Sequence, residues 1–268
     1  MLAFAANSLL CRFALGGESI DAATFTSVRL LTGALTLSLL MLPRWRNGRR
    51  PTGGLRSAAF LFTYMVFFSF AYTSLAAGTG ALVLFGAVQL TMFGSALRAG
   101  EHFAVWSWVG LGCAISGLVF LVAPGVTAPD PLGAALMAIA GIAWGAYSLL
   151  GRKTDDPLAA TATSFIYCVP PVILVSLVFL DDFHASTGGL ILAAASGAIA
   201  SGCGYAIWYA ALRGLSASRA ATVQLSVPAI AAFGGVLLLS EAITLRLLVA
   251  SAATLGGVAI VLAQRKPA

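Results

Sequence analysis

Long apolar runs separated by short polar segments follow one another along the whole chain. A helix that spans a membrane needs about 20 mostly apolar residues, and ten runs approach that length. We predict helices over Leu2 to Leu15, Ala22 to Leu42, Leu55 to Ala77, Thr79 to Leu97, Phe103 to Ala123, Leu132 to Gly151, Leu158 to Leu180, Gly188 to Leu212, Ala217 to Ser240 and Leu245 to Gln264. The pattern therefore predicts an all-α integral membrane protein with ten transmembrane helices.

Glycine, proline and charged residues mark the predicted turns between these helices. The turns lie at Gly16-Gly17-Glu18, Pro43 to Arg56, Gly78-Thr79-Gly80, Pro124 to Pro131, Asp155-Asp156-Pro157 and Asp181-Asp182. The first helix is short for a span, and we expect the printed chain to begin inside it.

Charged residues occupy only 24 of the 268 positions, 15 Lys or Arg and 9 Asp or Glu. With 60% hydrophobic residues and a mean hydropathy of +0.97, the chain holds more apolar surface than a soluble domain of this size could bury. The net charge of +6 does not indicate a nucleic-acid partner, because the basic residues lie in gaps between apolar runs rather than on one solvated face. The expected partners are a lipid bilayer and a small-molecule substrate, and the small-residue patterns predict no particular oligomer.

The basic residues also predict the orientation, because positively charged loops remain in the cytoplasm. If both termini are cytoplasmic, 12 of the 15 Lys and Arg residues lie on the inner side, and six of the nine acidic residues lie on the outer side. The three exceptions are Arg12, Arg29 and Arg246. We therefore predict that both termini face the cytoplasm.

Two halves of the chain repeat each other at an offset of 140 residues. The motif Ser8-Leu-Leu-x-Arg12 recurs at Ser148 to Arg152, and Phe93-Gly-x-x-Leu-x-x-x-Glu101 recurs at Phe233 to Glu241. Five helices per repeat force the second half into the membrane upside down, as in many secondary transporters. We expect residues 1–125 to form the first repeat, with helix one truncated, and residues 130–268 to form the inverted second repeat.

These motifs resemble the EamA branch of the drug/metabolite transporter superfamily, and within it the YddG-type bacterial exporters of aromatic amino acids. The resemblance rests on the two five-helix halves, on Arg29 in Phe25-Thr-Ser-Val-Arg29-Leu-Leu, and on the glycine-rich segments that end in Glu101 and Glu241. It covers the whole chain. It implies a multi-pass protein of the bacterial inner membrane with a central cavity between the repeats.

The sequence carries no pattern typical of an enzyme. Neither lysine lies in a phosphate-binding glycine-rich loop, both histidines are isolated in loops, and no acidic residue lies in the middle of a predicted span. The four cysteines, Cys11, Cys113, Cys168 and Cys203, lie inside apolar runs without metal-binding spacing, and we interpret them as small core residues. We predict neither enzymatic activity nor a cofactor or metal.

Polar and aromatic side chains within spans predict the substrate pathway, because polar groups that face lipid are costly. Phe4 and Asn7 on helix one match Trp144 and Tyr147 on helix six at the repeat offset. Such groups converging in an apolar surround favour a ligand cavity over packing alone. The candidate substrate-binding residues are Asn7, Tyr64, Phe68, Tyr72, Gln89, Trp144, Tyr147, Tyr205, Trp208, Tyr209 and Gln224.

Three charged residues lie near helix ends. Arg29 could bind a substrate carboxylate, but we favour a structural role, either extending to the outer surface or pairing with Glu18 or Asp21. Glu101 and Glu241 precede the last helix of each repeat, and we expect them to cap those helices rather than couple protons.

The leading hypothesis is a secondary transporter that exports small amphiphilic metabolites, most of all aromatic and other neutral amino acids, by alternating access. The alternatives are an exporter of multiple drugs or lipophilic cations and a membrane receptor or scaffold without transport.

Overall fold

The structure is a computed structural model, and it describes residues 1–47, 53–152, 154–212 and 223–264. These residues form ten long helices, one short 3₁₀ turn at Leu180–Asp182, and an isolated β-bridge between Ile20 and Ala185. The helices are α1 (Leu2–Gly16), α2 (Ala22–Arg46), α3 (Leu55–Ala71), α4 (Ala77–Arg98), α5 (Val105–Val122), α6 (Pro131–Gly151), α7 (Pro157–Val178), α8 (Thr187–Ala195, Ser196–Cys203 and Gly204–Leu212 without a break), α9 (Ser226–Leu239) and α10 (Leu245–Ala263).

Seven of the helices are long and apolar enough to cross a membrane, namely α2, α4, α5, α6, α7, α8 and α10. The other three, α1, α3 and α9, are apolar but have only 15, 17 and 14 residues. The all-helical membrane fold is therefore confirmed, whereas ten complete spans remain a prediction.

The turn predicted at Gly78-Thr79-Gly80 is wrong, and so is the predicted end of the third helix. Helix α3 ends at Ala71, and α4 already begins at Ala77. A Cβ atom on Gly80 would lie 2.5 Å from the Tyr72 ring, and one on Gly78 would lie 2.6 Å from Cβ of Ala232. These glycines therefore permit close packing inside a helix. The predicted start of the ninth helix at Ala217 lies outside the described residues.

Side-chain caps fix the beginnings of five helices. In each case a side-chain oxygen of the capping residue accepts a hydrogen bond from the backbone N–H three residues later. The capping residues are Asp21 (2.8 Å), Asp130 (2.6 Å), Asp156 (3.2 Å), Ser186 (3.1 Å) and Thr244 (3.1 Å). Each bond satisfies a backbone N–H that the first helical turn leaves without a partner. Capping matters more in a bilayer than in water, because lipid offers no hydrogen bonds to free helix ends.

Each of the first five helices packs against at least one of the last five. Helix α5 packs against α10, α4 against α9, and α2 against α7. Helix α6 packs between α3 and α4, and α1 packs correspondingly against α8 and α9. Helices α1 and α6 therefore occupy equivalent positions in the two halves.

Large apolar side chains cover the outside of this bundle. Examples are Leu35, Leu174, Ile207 and Phe233, each of which is at least 60% exposed. Exposed apolar surface on this scale is typical of a lipid-facing protein. The prediction of buried cysteines holds only in part, because Cys11 and Cys168 are buried whereas Cys113 and Cys203 are exposed.

Candidate functional site

A cavity of about 650 Å³ lies among α1, α4, α6, α8 and α10. Its mouth is at the ends of α2, α4 and α6 and the start of α7, where charged side chains line it: Arg44, Glu101, Arg152, Asp155 and Asp156. We call this side of the molecule the open end. Arg44 and Asp156 form an ion pair there, with 3.2 Å between Nη1 and Oδ2.

The inner part of the cavity is aromatic. Phe4 and Trp144 line it, with their ring centroids 6.2 Å apart, and Trp208 lies 5.9 Å from Phe4. Trp144 lies eight residues before Arg152 on α6, about 12 Å deeper along the helix axis, and we call Phe4 and Trp144 the floor of the cavity. The amide side chains of Gln89 and Gln224 line the walls.

Five of the predicted substrate residues line this cavity: Gln89, Trp144, Trp208, Tyr209 and Gln224. The six others, Asn7, Tyr64, Phe68, Tyr72, Tyr147 and Tyr205, are at most 5% exposed and do not line it. Tyr147 contacts the cavity indirectly, because its hydroxyl lies 2.7 Å from Thr161 Oγ1, which also donates to the Tyr209 hydroxyl. A binding role for any of the eleven stays a prediction.

A row of tilted and edge-to-face aromatic contacts continues from the cavity floor toward the opposite end of the molecule. The ring of Trp144 lies 4.9 Å from that of Tyr64, which is 5.3 Å from Phe68, which is 4.8 Å from Tyr72. Three of these residues recur every four positions on one face of α3 and so span about 12 Å along the helix axis. We call Tyr64, Phe68 and Tyr72, together with Arg29 beside them, the barrier.

Hydrogen bonds attach the barrier to the neighbouring helices. The Asn7 amide donates to the Tyr64 hydroxyl (3.3 Å), and Ser196 Oγ donates to Asn7 Oδ1 (2.6 Å). Ser196 begins a π-helical segment in α8, a local distortion that is frequent at functional sites. Gly197 lets this segment approach α2, since a Cβ there would lie 2.2 Å from the carbonyl oxygen of Arg29. The sequence pattern did not predict this π-helix.

Arg29 corrects the sequence interpretation. Its side chain is 0% exposed, so it does not extend to the surface. It does not pair with Asp21, whose carboxylate accepts from the backbone N–H groups of Thr24 and His184 instead. Arg29 Nη2 donates to the Tyr64 hydroxyl (3.1 Å), and its guanidinium lies over the Tyr64 and Phe68 rings at 5.4 and 5.0 Å.

The end of the molecule opposite the cavity mouth is closed by an ion pair that sequence reasoning missed. Arg12 Nε lies 3.1 Å from Glu241 Oε1, and Arg12 Nη1 donates to the carbonyl oxygens of Tyr72 and Thr73 at 3.1 Å each. Glu241 also accepts from the backbone N–H of Ala77 at 2.9 Å. The Arg12 guanidinium thus lies at the carboxyl end of α3, and the Glu241 carboxylate lies at the amino end of α4. Each charge is opposite in sign to the helix dipole end that it contacts, which is stabilising.

Glu241 is therefore a cap, but not of the predicted helix. Thr244 caps α10, whereas Glu241 caps α4 in the other half of the chain. Helix α5 begins after Ala104, which makes no side-chain capping bond, and the capping role expected of Glu101 stays a prediction. Both glutamates belong to repeated motifs. That repetition was the signal that could have linked them to Arg12 and Arg152.

Two further contacts join the halves at this closed end. The backbone N–H of His184 donates to Asp21 Oδ2 (3.2 Å), and that of Asp21 donates to the His184 carbonyl (2.9 Å). Ser74 Oγ donates to Asp130 Oδ2 at 3.0 Å. We call the side that holds these contacts and the Arg12–Glu241 pair the closed end.

A multi-pass helical bundle with a cavity that opens at one end and stops at a barrier is typical of membrane transporters. The EamA-like transporter family model matches residues 131–263. An uncharacterized protein of Pseudomonas aeruginosa is 50% identical over 99% of this chain and 92% of its own. An uncharacterized transporter of Archaeoglobus fulgidus is 27% identical over 75% of this chain and 74% of its own.

A protein crystal structure shares the fold, with a TM-score of 0.64 and 19% identity over 97% of this chain and 96% of that chain. The chain belongs to the EamA-like transporter family of membrane transporters. The resemblance to the EamA branch and the transporter class are thereby confirmed, whereas the resemblance to YddG-type exporters stays a prediction.

Proposed function

We propose that the protein is a secondary transporter that exports small amphiphilic metabolites, with aromatic and other neutral amino acids as leading substrates. The observation that carries this proposal is the cavity of about 650 Å³, open at one end and ended at the other by an aromatic floor and barrier. Its volume lies within the roughly 300–1,000 Å³ of small-molecule sites.

The chemistry of the lining favours an amphiphilic substrate. Phe4, Trp144 and Trp208 offer ring faces to an apolar or aromatic side chain. The amides of Gln89 and Gln224 offer donors and acceptors to a polar head. A zwitterion with an aromatic side chain uses both groups of residues at once.

Alternating access between two inverted five-helix repeats, residues 1–125 and 130–268, is the mechanism we propose. Two observations support it. The two halves make corresponding helix contacts when each helix is matched with the one five positions later in the chain. For example, the contact between α1 and α8 corresponds to the contact between α6 and α3. The family model also spans residues 131–263, which hold α6 to α10.

The open end faces the cytoplasm in this proposal, and the membrane is the bacterial inner membrane. The described basic residues Arg44, Arg46, Arg56, Arg98 and Arg152 lie at helix ends on that side, and positively charged loops remain cytoplasmic. The structure then represents an inward-open state, ready to take an export substrate from inside.

Counterflow of radiolabelled L-phenylalanine into proteoliposomes loaded with the unlabelled amino acid tests this function. Wild-type protein should accumulate label above protein-free liposomes. Gln89→Trp, which fills part of the cavity, should reduce uptake strongly, whereas Gly94→Ala, on the same helix with nothing within 4 Å of the new Cβ, should not. Flux equal to that of empty liposomes for phenylalanine and for a panel of neutral amino acids would refute the proposal.

A further inference from the structure

Arg29 is a fully buried cation without a matching anion. Its Nε and Nη1 atoms have no hydrogen-bond partner among the described residues, and Nη2 has the neutral Tyr64 hydroxyl. A buried charge in this condition is strongly unfavourable unless something compensates for it. Cation–π contacts with Tyr64 and Phe68 offset part of this cost but use no N–H donor.

None of the protein's own carboxylates lies within ion-pair distance of Arg29 in the described ranges. All nine acidic residues lie in the described ranges, and the two nearest in sequence before Arg29 are Glu18 and Asp21. Asp21 caps α2 and binds His184, and Glu18 is exposed in the loop before α2. Within the described residues, no carboxylate forms an ion pair with Arg29.

Arg29 lies between the cavity floor and the closed end. Tyr64 separates it from Trp144 on the cavity floor, since the Tyr64 hydroxyl accepts from Arg29 while its ring lies 4.9 Å from the indole. On the other side Phe68 leads to Tyr72, whose carbonyl oxygen binds Arg12 at the closed end. Opening the barrier to move a substrate therefore uncovers Arg29.

We infer that Arg29 binds the carboxylate of the transported molecule, so that the substrate class is apolar or aromatic carboxylates, amino acids among them. This inference rests on the proposed function and adds a charge requirement to it. A guanidinium binds a carboxylate through paired N–H donors, and Arg29 has two nitrogens free for that purpose. The same buried positive charge repels lipophilic cations, which sets this protein apart from an exporter of cationic drugs.

The test measures ligand binding by purified protein, independently of flux. The probes are L-phenylalanine, its carboxamide, and 3-phenylpropionate, which has the carboxylate but no amine. Wild-type protein should bind both carboxylates at least about tenfold more tightly than the carboxamide, as a charge-assisted pair is lost. Arg29→Met, which keeps an apolar stem over the two rings, should bind all three alike, and Arg29→Lys should restore part of the preference.

Thermal stability of the same variants distinguishes recognition from a structural role. Removing an uncompensated buried charge should leave the melting temperature of Arg29→Met unchanged or raise it, whereas a structural arginine would lower it. If Arg29→Met does not fold, the wild-type preference and the Arg29→Lys value decide the question.

Equal wild-type affinity for phenylalanine and its carboxamide would overturn the inference, and so would an unchanged carboxylate preference in Arg29→Met. If amino acids and their amides are transported equally, the proposed function stands and the inference fails. If carboxylate-selective binding occurs without flux, the inference stands and the proposed function fails.

Discussion

The closed end and the open end of the molecule use related residues in opposite ways. At the closed end, Arg12 and Glu241 meet at 3.1 Å and tie α1 to the ends of α3 and α4. At the open end, Arg152 and Glu101, their counterparts in the repeated motifs, line the mouth of the cavity. One motif pair thus closes a passage while the other borders an opening, which is what two inverted repeats in one asymmetric state would produce.

The two ends differ in how closely neighbouring residues pack against α4, which passes through both. Gly80 lies against the buried Tyr72 ring near the closed end, whereas nothing lies within 4 Å of a Cβ placed on Gly94 near the open end. Gly80→Ala should destabilise the protein by about 1–3 kcal/mol through overpacking, as measured by thermal or denaturant unfolding in detergent. Gly94→Ala is the matched control and should be neutral or slightly stabilising. Equal effects at both sites would mean that the ends are packed alike.

The Glu241 carboxylate should hold the closed end shut. Glu241→Gln weakens its bonds to Arg12 and to the Ala77 N–H, and losing charge-assisted bonds of this partly buried kind should favour opening by about tenfold. The readout is alkylation of Cys11, which is fully buried one residue before Arg12, in protein whose other cysteines are replaced by alanine.

Glu18→Gln is the control for that experiment, because Glu18 is an exposed acid in the loop before α2 on the same side. It should leave the alkylation rate unchanged. A Glu241→Gln protein that reacts no faster than Glu18→Gln would remove the ion pair from the closing mechanism.

Trp144 connects the open cavity to the barrier, since its indole lines the cavity and packs against the Tyr64 ring of the barrier. Trp144→Ala should weaken aromatic substrates by about fivefold more than aliphatic ones, because stacking contributes on the order of 1 kcal/mol. Competition in the flux assay measures this preference. Trp106→Ala, an indole exposed on the outside of α5, should keep the wild-type preference, and a Trp144→Ala protein that does the same would assign Trp144 to packing.

We expect Arg152 and Glu101 to pair when the open end closes, by analogy with Arg12 and Glu241 in the repeated motifs. Reversing either charge alone should slow transport by no more than about fivefold, because exposed ion pairs contribute at most about 1 kcal/mol. Arg152→Glu combined with Glu101→Arg should recover most of the rate. A double variant slower than both single variants would show that the two residues do not pair during transport.

The helices could be predicted from the sequence because the length of an apolar run is a local property. Contacts between halves could not, as the example of Glu241 shows. Its position before α10 suggested a cap there, yet its partners are Ala77 and Arg12, 164 and 229 residues away in sequence. No local pattern contains that pairing.

Two further differences have the same origin. Gly78 and Gly80 looked like a turn because glycine favours turns, but tertiary packing against Ala232 and Tyr72 explains their presence in α4. Arg29 was expected either to extend to the surface, as long cationic side chains near helix ends usually do, or to pair with Glu18 or Asp21. The barrier encloses it instead, and only the folded arrangement of α2 and α3 reveals that.

Alternating access is tested most directly by labelling the two ends of the pathway in two single-thiol proteins, each reconstituted in vesicles of the same known orientation. The reporters are Ser148→Cys in the cavity wall and the native Cys11 near the closed end, each as the single thiol, with a membrane-impermeant maleimide applied from one side at a time. Without substrate, Ser148→Cys should react from the open-end side and Cys11 from neither. Excess L-phenylalanine should slow the first reaction and allow Cys11 to react from the opposite side. Labelling of both thiols from one side at rates that phenylalanine does not change would contradict alternating access.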